Sequence, residues 1–190
     1  MSKLVVIFPG IGYHCDKPLL YYGKDIANEC GYTECIKVSY TYEKTGLRGN
    51  KDKMKEAFLA LYAQAKDELE GVSWGDYDEI LFISKSIGTI IATALSDELD
   101  IKVKHVLYTP LEETFGVDIE DAIAFIGTGD PWSDVNAVVE KAHDQDIYIN
   151  IYGGCNHSLE CEDTRKNLDI LTTVMSKTYD YLRGYKPIED

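Results

Sequence analysis

Residues 80–95 read Ile80-Leu81-Phe82-Ile83-Ser84-Lys85-Ser86-Ile87-Gly88-Thr89-Ile90-Ile91-Ala92-Thr93-Ala94-Leu95. The apolar run Ile80–Ile83 predicts a strand covered on both faces. Ile87–Leu95 is apolar almost all round, which predicts a helix buried against a sheet. Between them, Ser84-Lys85-Ser86-Ile87-Gly88 must turn the chain sharply. Such a turn is crowded and needs small residues two before and two after its apex, and Ser84 and Gly88 meet that demand around Ser86. The same turn puts Ser86 at a helix N-terminus, where the Ile87 amide and the helix dipole favour negative charge. Ser86 is therefore a candidate nucleophile. The plain alternative is a helix N-cap contributing about 1 kcal/mol of stability.

Outward from this segment, apolar runs rich in Val, Ile and Tyr recur at Leu4–Phe8, Ile36–Tyr40, His105–Tyr108, Ala122–Ile126 and Ile147–Tyr152. Helical stripes alternate with them. Met54, Phe58, Leu61, Tyr62, Ala65 and Leu69 form one; Val135, Val138, Val139 and Ala142 form another, with Ser133 as its expected N-cap. Leu168, Leu171, Met175 and Leu182 mark a final helix. Strands alternating with helices imply an α/β three-layer sandwich, with a mainly parallel sheet between helices joined by right-handed crossovers. Sites in such sheets form beyond the carboxyl ends of the strands.

Two of those ends carry further chemistry. Gly127-Thr128-Gly129-Asp130-Pro131 presents an acid, and Gly153-Gly154-Cys155-Asn156-His157-Ser158 presents an imidazole. A serine hydroxyl needs a neighbouring base to take its proton, and that base needs an acid to fix its tautomer. Ser86, Asp130 and His157 supply these types in chain order, each after a strand. Asp134, the rival acid, falls in the expected first turn of a helix, where a carboxylate is ordinary. Among the other histidines, His105 opens a strand at its amino end, His143 sits at a polar helix end, and His14 precedes the nucleophile. Tyr13, His14, Lys85 and Trp132 are candidates for substrate contact. For Lys85 the favoured reading is a solvated surface lysine; for Tyr13 and Trp132 it is equally a place in the core or rim. Glu160 and Glu162 read as first-turn acids of the last helix.

These residues, with Phe8-Pro9-Gly10-Ile11-Gly12 after the first strand, resemble the α/β-hydrolase superfamily, and within it the small lidless serine hydrolases, over nearly the whole chain. The departures are Ser84 where Gly is usual and Pro9 where a loop often begins with His. The resemblance implies a minimal six-stranded sheet in the order 2-1-3-4-5-6. It also implies an oxyanion hole from the Ile11 and Ile87 amides, worth about 3–4 kcal/mol per donor. The implied reaction is hydrolysis of a small ester through an acyl-enzyme on Ser86, with no metal or organic cofactor. Thioester or amide cleavage by the same triad is the alternative, and a non-catalytic binding protein on this fold is the alternative of another class. Lids of the superfamily enter after the fourth strand here. The stretch between Pro110 and Asp121 is too short for a helical cap, and Glu112, Glu113, Asp118, Glu120 and Asp121 in it favour a neutral or cationic substrate.

Composition sets the outer limits. The 190 residues fit one domain, 1–190, with an ordinary 45% hydrophobic and 27% charged content. A net charge of −14 argues against nucleic acid or an anionic membrane as partner. Lys51–Lys55, interrupted by Asp52, reads as a solvated helix face. Leu4–Phe8 is too short for a signal-peptide core, and no run approaches the roughly 18 apolar residues of a membrane span. Five cysteines with no secretion signal fit a reducing, cytoplasmic setting. Cys155-x-His157…Cys161 lacks the second pair expected of a zinc site.

Overall fold

The computed structural model describes residues 1–43 and 45–185. Six strands, β1 (Lys3–Phe8), β2 (Glu34–Lys37), β3 (Glu79–Lys85), β4 (Lys104–Tyr108), β5 (Ala122–Gly127) and β6 (Tyr148–Tyr152), form one sheet in the order β2-β1-β3-β4-β5-β6. Every pairing is parallel. Alternate strand residues point to opposite faces. Val5, Ile7, Leu81, Ile83, Val106, Tyr108, Ile123 and Phe125 pack beneath α1 (Pro18–Glu29) and α5 (Thr164–Leu182). Leu4, Val6, Phe8, Ile80 and Phe82 pack beneath α2 (Lys51–Leu69) and α3 (Ile87–Glu98), and Leu107, Ala124 and Ile126 beneath α4 (Val135–Asp144). Burial on both faces is why these strands read as continuous apolar runs. Among the described residues, no helix is long and apolar enough to cross a membrane.

Three local expectations are corrected. The second strand occupies Glu34–Lys37 rather than Ile36–Tyr40. Beyond the bond from the Val38 amide to the Ile7 carbonyl, the Ser39 and Thr41 amides donate to the Glu68 and Gln64 side chains of α2 instead, and the chain peels off the sheet. The cap of α4 is Asp134, accepting from the Asn136 and Ala137 amides, not Ser133, whose hydroxyl donates to the Pro110 carbonyl. Asp163, accepting from the Arg165 and Lys166 amides, caps α5, so Glu160 and Glu162 precede that helix.

Helix α1 has no counterpart in the stripes read from sequence. Its signal is present: Pro18 at the first position and buried Leu19, Leu20, Gly23 and Ala27 at helical spacing. Gly23 obscures the pattern, yet it suits a close approach, because a Cβ there would lie 3.1 Å from the Tyr108 hydroxyl. That hydroxyl pairs with Thr178 at 3.0 Å, so one tyrosine sets the approach of α1 and α5 to the sheet.

Candidate active site

Strand β3 delivers Ser86 in a backbone conformation rare for a side-chain-bearing residue, φ 58° and ψ −127°. Such strain costs about 1–3 kcal/mol and persists only when the surroundings impose it. Here the Ser86 amide donates to the Tyr108 carbonyl (3.1 Å), and its carbonyl accepts from the Thr89 amide (2.8 Å) and Thr89 Oγ1 (2.6 Å). Gly88 admits the loop after β1: a Cβ there would stand 2.4 Å from the Phe8 carbonyl oxygen. Ser84, fully buried, fits where glycine was expected, its hydroxyl donating to the Val106 carbonyl at 3.4 Å. Ser86 occupies the cap position of α3 but makes no capping bond with its side chain. Its Oγ instead faces His157 Nε2 at 2.7 Å.

His157 and Asp130 come from two interlocked loops. The Thr128 amide donates to the Tyr152 carbonyl, the Gly129 amide to the Cys155 carbonyl (2.9 Å) and the Gly154 amide to Thr128 Oγ1 (2.8 Å). Gly127 permits this contact, since a Cβ there would lie 2.2 Å from the Cys155 carbonyl oxygen. Asp130 Oδ1 accepts from the Trp132 amide (2.9 Å), and Oδ2 accepts from His157 Nδ1 (2.6 Å). An ionised carboxylate is acceptor-only, so the imidazole proton sits on Nδ1 and Nε2 is left to accept from Ser86. With both ring nitrogens engaged, His157 has none to spare for a metal. Among the described residues, no cluster of three or more His, Cys, Asp or Glu could hold one.

Burial disfavours the imidazolium and holds the His157 pKa below its ordinary value; the bond to Asp130 pulls the other way, and Lys85 adds to the lowering. The Trp132 ring covers the imidazole, with centroids 5.6 Å apart and planes at 29°.

A cleft of about 200 Å³ opens over Ser86 and His157. Ile11 and Ile87 both line it, and neither amide has a hydrogen-bond partner among the described residues. The turn bearing Ile11 is closed by reciprocal bonds between Gly10 and Tyr13. The Tyr13 ring is buried, its hydroxyl accepts from the Leu19 amide, and burial pushes its pKa up to about 12. Trp132, Tyr13 and Lys85, three of the four candidates for substrate contact, line the cleft; Lys17, Leu47, Met54 and Ser158 join them, none of them read as a site residue from sequence. Met54 carried a signal as part of the α2 stripe, while Leu47 lies in a loop without periodicity.

One expectation fails here. Lys85 is not a solvated surface residue: it is 1% exposed, and its Nζ donates to the His157 carbonyl at 2.6 Å. It shares strand parity with Leu81 and Ile83, so its stem runs in the layer under α1 and α5. His14 is exposed beside Asp16 and lines an adjoining hollow with Lys37 and Tyr40, which shares Ile11 and Gly12 with the cleft over Ser86 that His14 itself does not line.

The segment after β4 makes a short 3-10 turn at Glu112–Phe115 and runs down the flank of the sheet, tied by Gln145 to Phe115, Val117 and Ile119. It ends where the Asp121 carbonyl accepts from the His105 amide, at the amino ends of the strands. Glu120 and Asp121 therefore lie at the opposite end of the sheet from Ser86, and these two acids cannot bear on the charge of a substrate there.

No protein-family model and no curated protein matches the sequence. Solved structures do match over nearly its full length. An alpha-beta serine hydrolase homologue from Coxiella burnetii aligns at TM-score 0.65 and 12% identity, covering 93% of this chain and 84% of that one. A lidless α/β serine hydrolase from Xanthomonas campestris aligns at TM-score 0.58 and 11% identity, covering 99% and 84%. Est1E from Butyrivibrio proteoclasticus, with ferulic acid bound, aligns at TM-score 0.66 and 12% identity, covering 97% and 89%. These likenesses establish the fold.

Proposed function

We propose that this chain, an α/β-hydrolase by fold, is a serine hydrolase that cleaves small carboxylic esters through an acyl-enzyme on Ser86. The observation that carries this reading is the unbroken chain Ser86 Oγ–His157–Asp130, with contacts of 2.7 and 2.6 Å, mounted on a strained turn. His157 takes the Ser86 proton as Oγ attacks the ester carbonyl. The Ile11 and Ile87 amides receive the developing oxyanion. His157 then protonates the leaving alcohol, and a water repeats the sequence on the acyl-enzyme. Asp130 holds the imidazole tautomer and stabilises the imidazolium.

A small substrate is supported by the size of the cleft and by the course of the segment after β4, which runs down the flank of the sheet rather than over that cleft. Acetate and butyrate esters of 4-nitrophenol are expected to be turned over faster than the palmitate ester, measured as kcat/KM by release of nitrophenolate. A preference for the long chain would contradict the small-substrate reading. Matched thioesters and anilides in the same panel distinguish the alternatives that share this triad.

The pH dependence has a definite sign. Only neutral His157 can act as base, so activity is present above its pKa and lost as the pH falls through it. Because burial lowers that pKa, kcat/KM should rise with pH through an inflection below about 6.5, the ordinary imidazole value. An inflection at or above that value in an ester assay spanning the acid range would contradict the burial argument.

A further inference from the structure

Lys85 is a buried basic group beside Ser86 that the acyl-transfer steps do not use. Charged lysines are almost never fully buried unless paired, and burial of an unpaired ammonium is expensive. No carboxylate forms an ion pair with Lys85 among the described residues. Its head donates to the His157 carbonyl at 2.6 Å, a charge-assisted distance, and lies 4.9 Å from the centroid of the Tyr13 ring. Three elements meet there: the end of β3 that carries the nucleophile, the loop after β6 that carries the base, and the turn after β1 that carries Ile11.

We propose that Lys85 is a positioning residue, whose buried ammonium ties the His157 carbonyl to the Tyr13 turn and so holds base, nucleophile and oxyanion loop in register. This rests on the hydrolase reading above. Burial drives the Lys85 pKa down to about 7, opposed at longer range by the Asp130 and Glu160 carboxylates, so the head is an ammonium in the acid range where His157 titrates. The Tyr13 ring and the His157 carbonyl receive it. In turn, the ammonium disfavours a proton on the His157 imidazole. Lys85 therefore acts on His157 twice: through the backbone it fixes the ring's place, and through its charge it adds to the burial that keeps the ring neutral.

The test compares native chain with Lys85→Met, which keeps the stem and removes the charge, and with Lys85→Ala. Readouts are kcat and KM on 4-nitrophenyl acetate across pH, the rate of fluorophosphonate labelling of Ser86, and the melting temperature. Misplacing a catalytic group by about 1 Å costs roughly 10²-fold, so kcat in Lys85→Met should fall about 10–100-fold. The KM should stay within about threefold, since ground-state binding is little touched. Removing the nearby cation should also move the inflection of kcat/KM to higher pH. Propylammonium, which replaces the missing head and stem, should restore about fivefold or more of the Lys85→Ala activity by remaking a charge-assisted bond, while sodium at equal ionic strength should not.

Wild-type kcat and an unmoved inflection in Lys85→Met would overturn the proposal. So would an equal loss at every pH without rescue by the amine, which marks a lysine that merely fills space. If Lys85→Met does not fold, the amine response of Lys85→Ala decides alone. A native chain that neither labels nor hydrolyses any ester would sink the hydrolase reading, whereas an active native chain with indifferent Lys85 variants would sink only this one.

Discussion

Ser86→Ala and His157→Ala should each lower kcat/KM by roughly 10⁴–10⁶-fold, because members of a triad act as a unit and losing one forfeits most of the benefit of all. Asp130→Asn should cost about 10⁴-fold, since an amide at that place favours the wrong imidazole tautomer. These losses should come without loss of fold. Ser86 makes no side-chain capping bond to α3, so truncating its hydroxyl removes no capping bond from the helix. His157 sits in a loop at the carboxyl end of the sheet, outside the three apolar clusters. The measurement is ester turnover with a thermal melt of each variant; near-native activity in Ser86→Ala would contradict the proposed nucleophile. A residual rate above that of water is expected in every variant, from the oxyanion donors and from binding.

The second large effect is structural. Gly127→Ala places a Cβ 2.2 Å from the Cys155 carbonyl oxygen and 2.6 Å from its carbon, both backbone atoms that cannot swing aside. The two loops must part, at a cost of about 3 kcal/mol or more, in the range of severe overpacking. For a chain of this size that corresponds to a fall of roughly 6–12 °C in melting temperature. Activity should fall as well, because Asp130 and His157 are brought to 2.6 Å by the same loop contact. Gly153→Ala is the control. Open space surrounds that position, so its melting temperature and turnover should stay close to native. Near-native stability in Gly127→Ala would mean that the loops are less tightly joined than their hydrogen bonds indicate.

Much of this arrangement is written in local sequence. A strand covered on both faces leaves a continuous apolar run, and five of the six strands fell on their runs within about two residues, the ordinary uncertainty of element ends. The edge strand β2 slipped further because its end is decided by Glu68 and Gln64, residues some thirty positions away that capture the amides of Ser39 and Thr41. Ser86, Asp130 and His157 were legible because each follows a strand at the carboxyl edge of a parallel sheet, where topology alone brings them together. Lys85 was misread for the opposite reason. Nothing in its neighbours along the chain shows that strand parity sends its stem under α1, or that a carbonyl 72 residues later and the Tyr13 ring receive its charge. The acidity between Pro110 and Asp121 misled in part: its residues are close in sequence but run from one end of the sheet to the other, which takes Glu120 and Asp121 away from Ser86.

The most direct test of an activated serine is labelling of the native chain with a fluorophosphonate probe, read by intact mass and by the modified peptide. A single adduct on Ser86, lost in Ser86→Ala and strongly slowed in His157→Ala, is the predicted result. A folded native chain that takes up no probe, or takes it up equally well without Ser86, would contradict it.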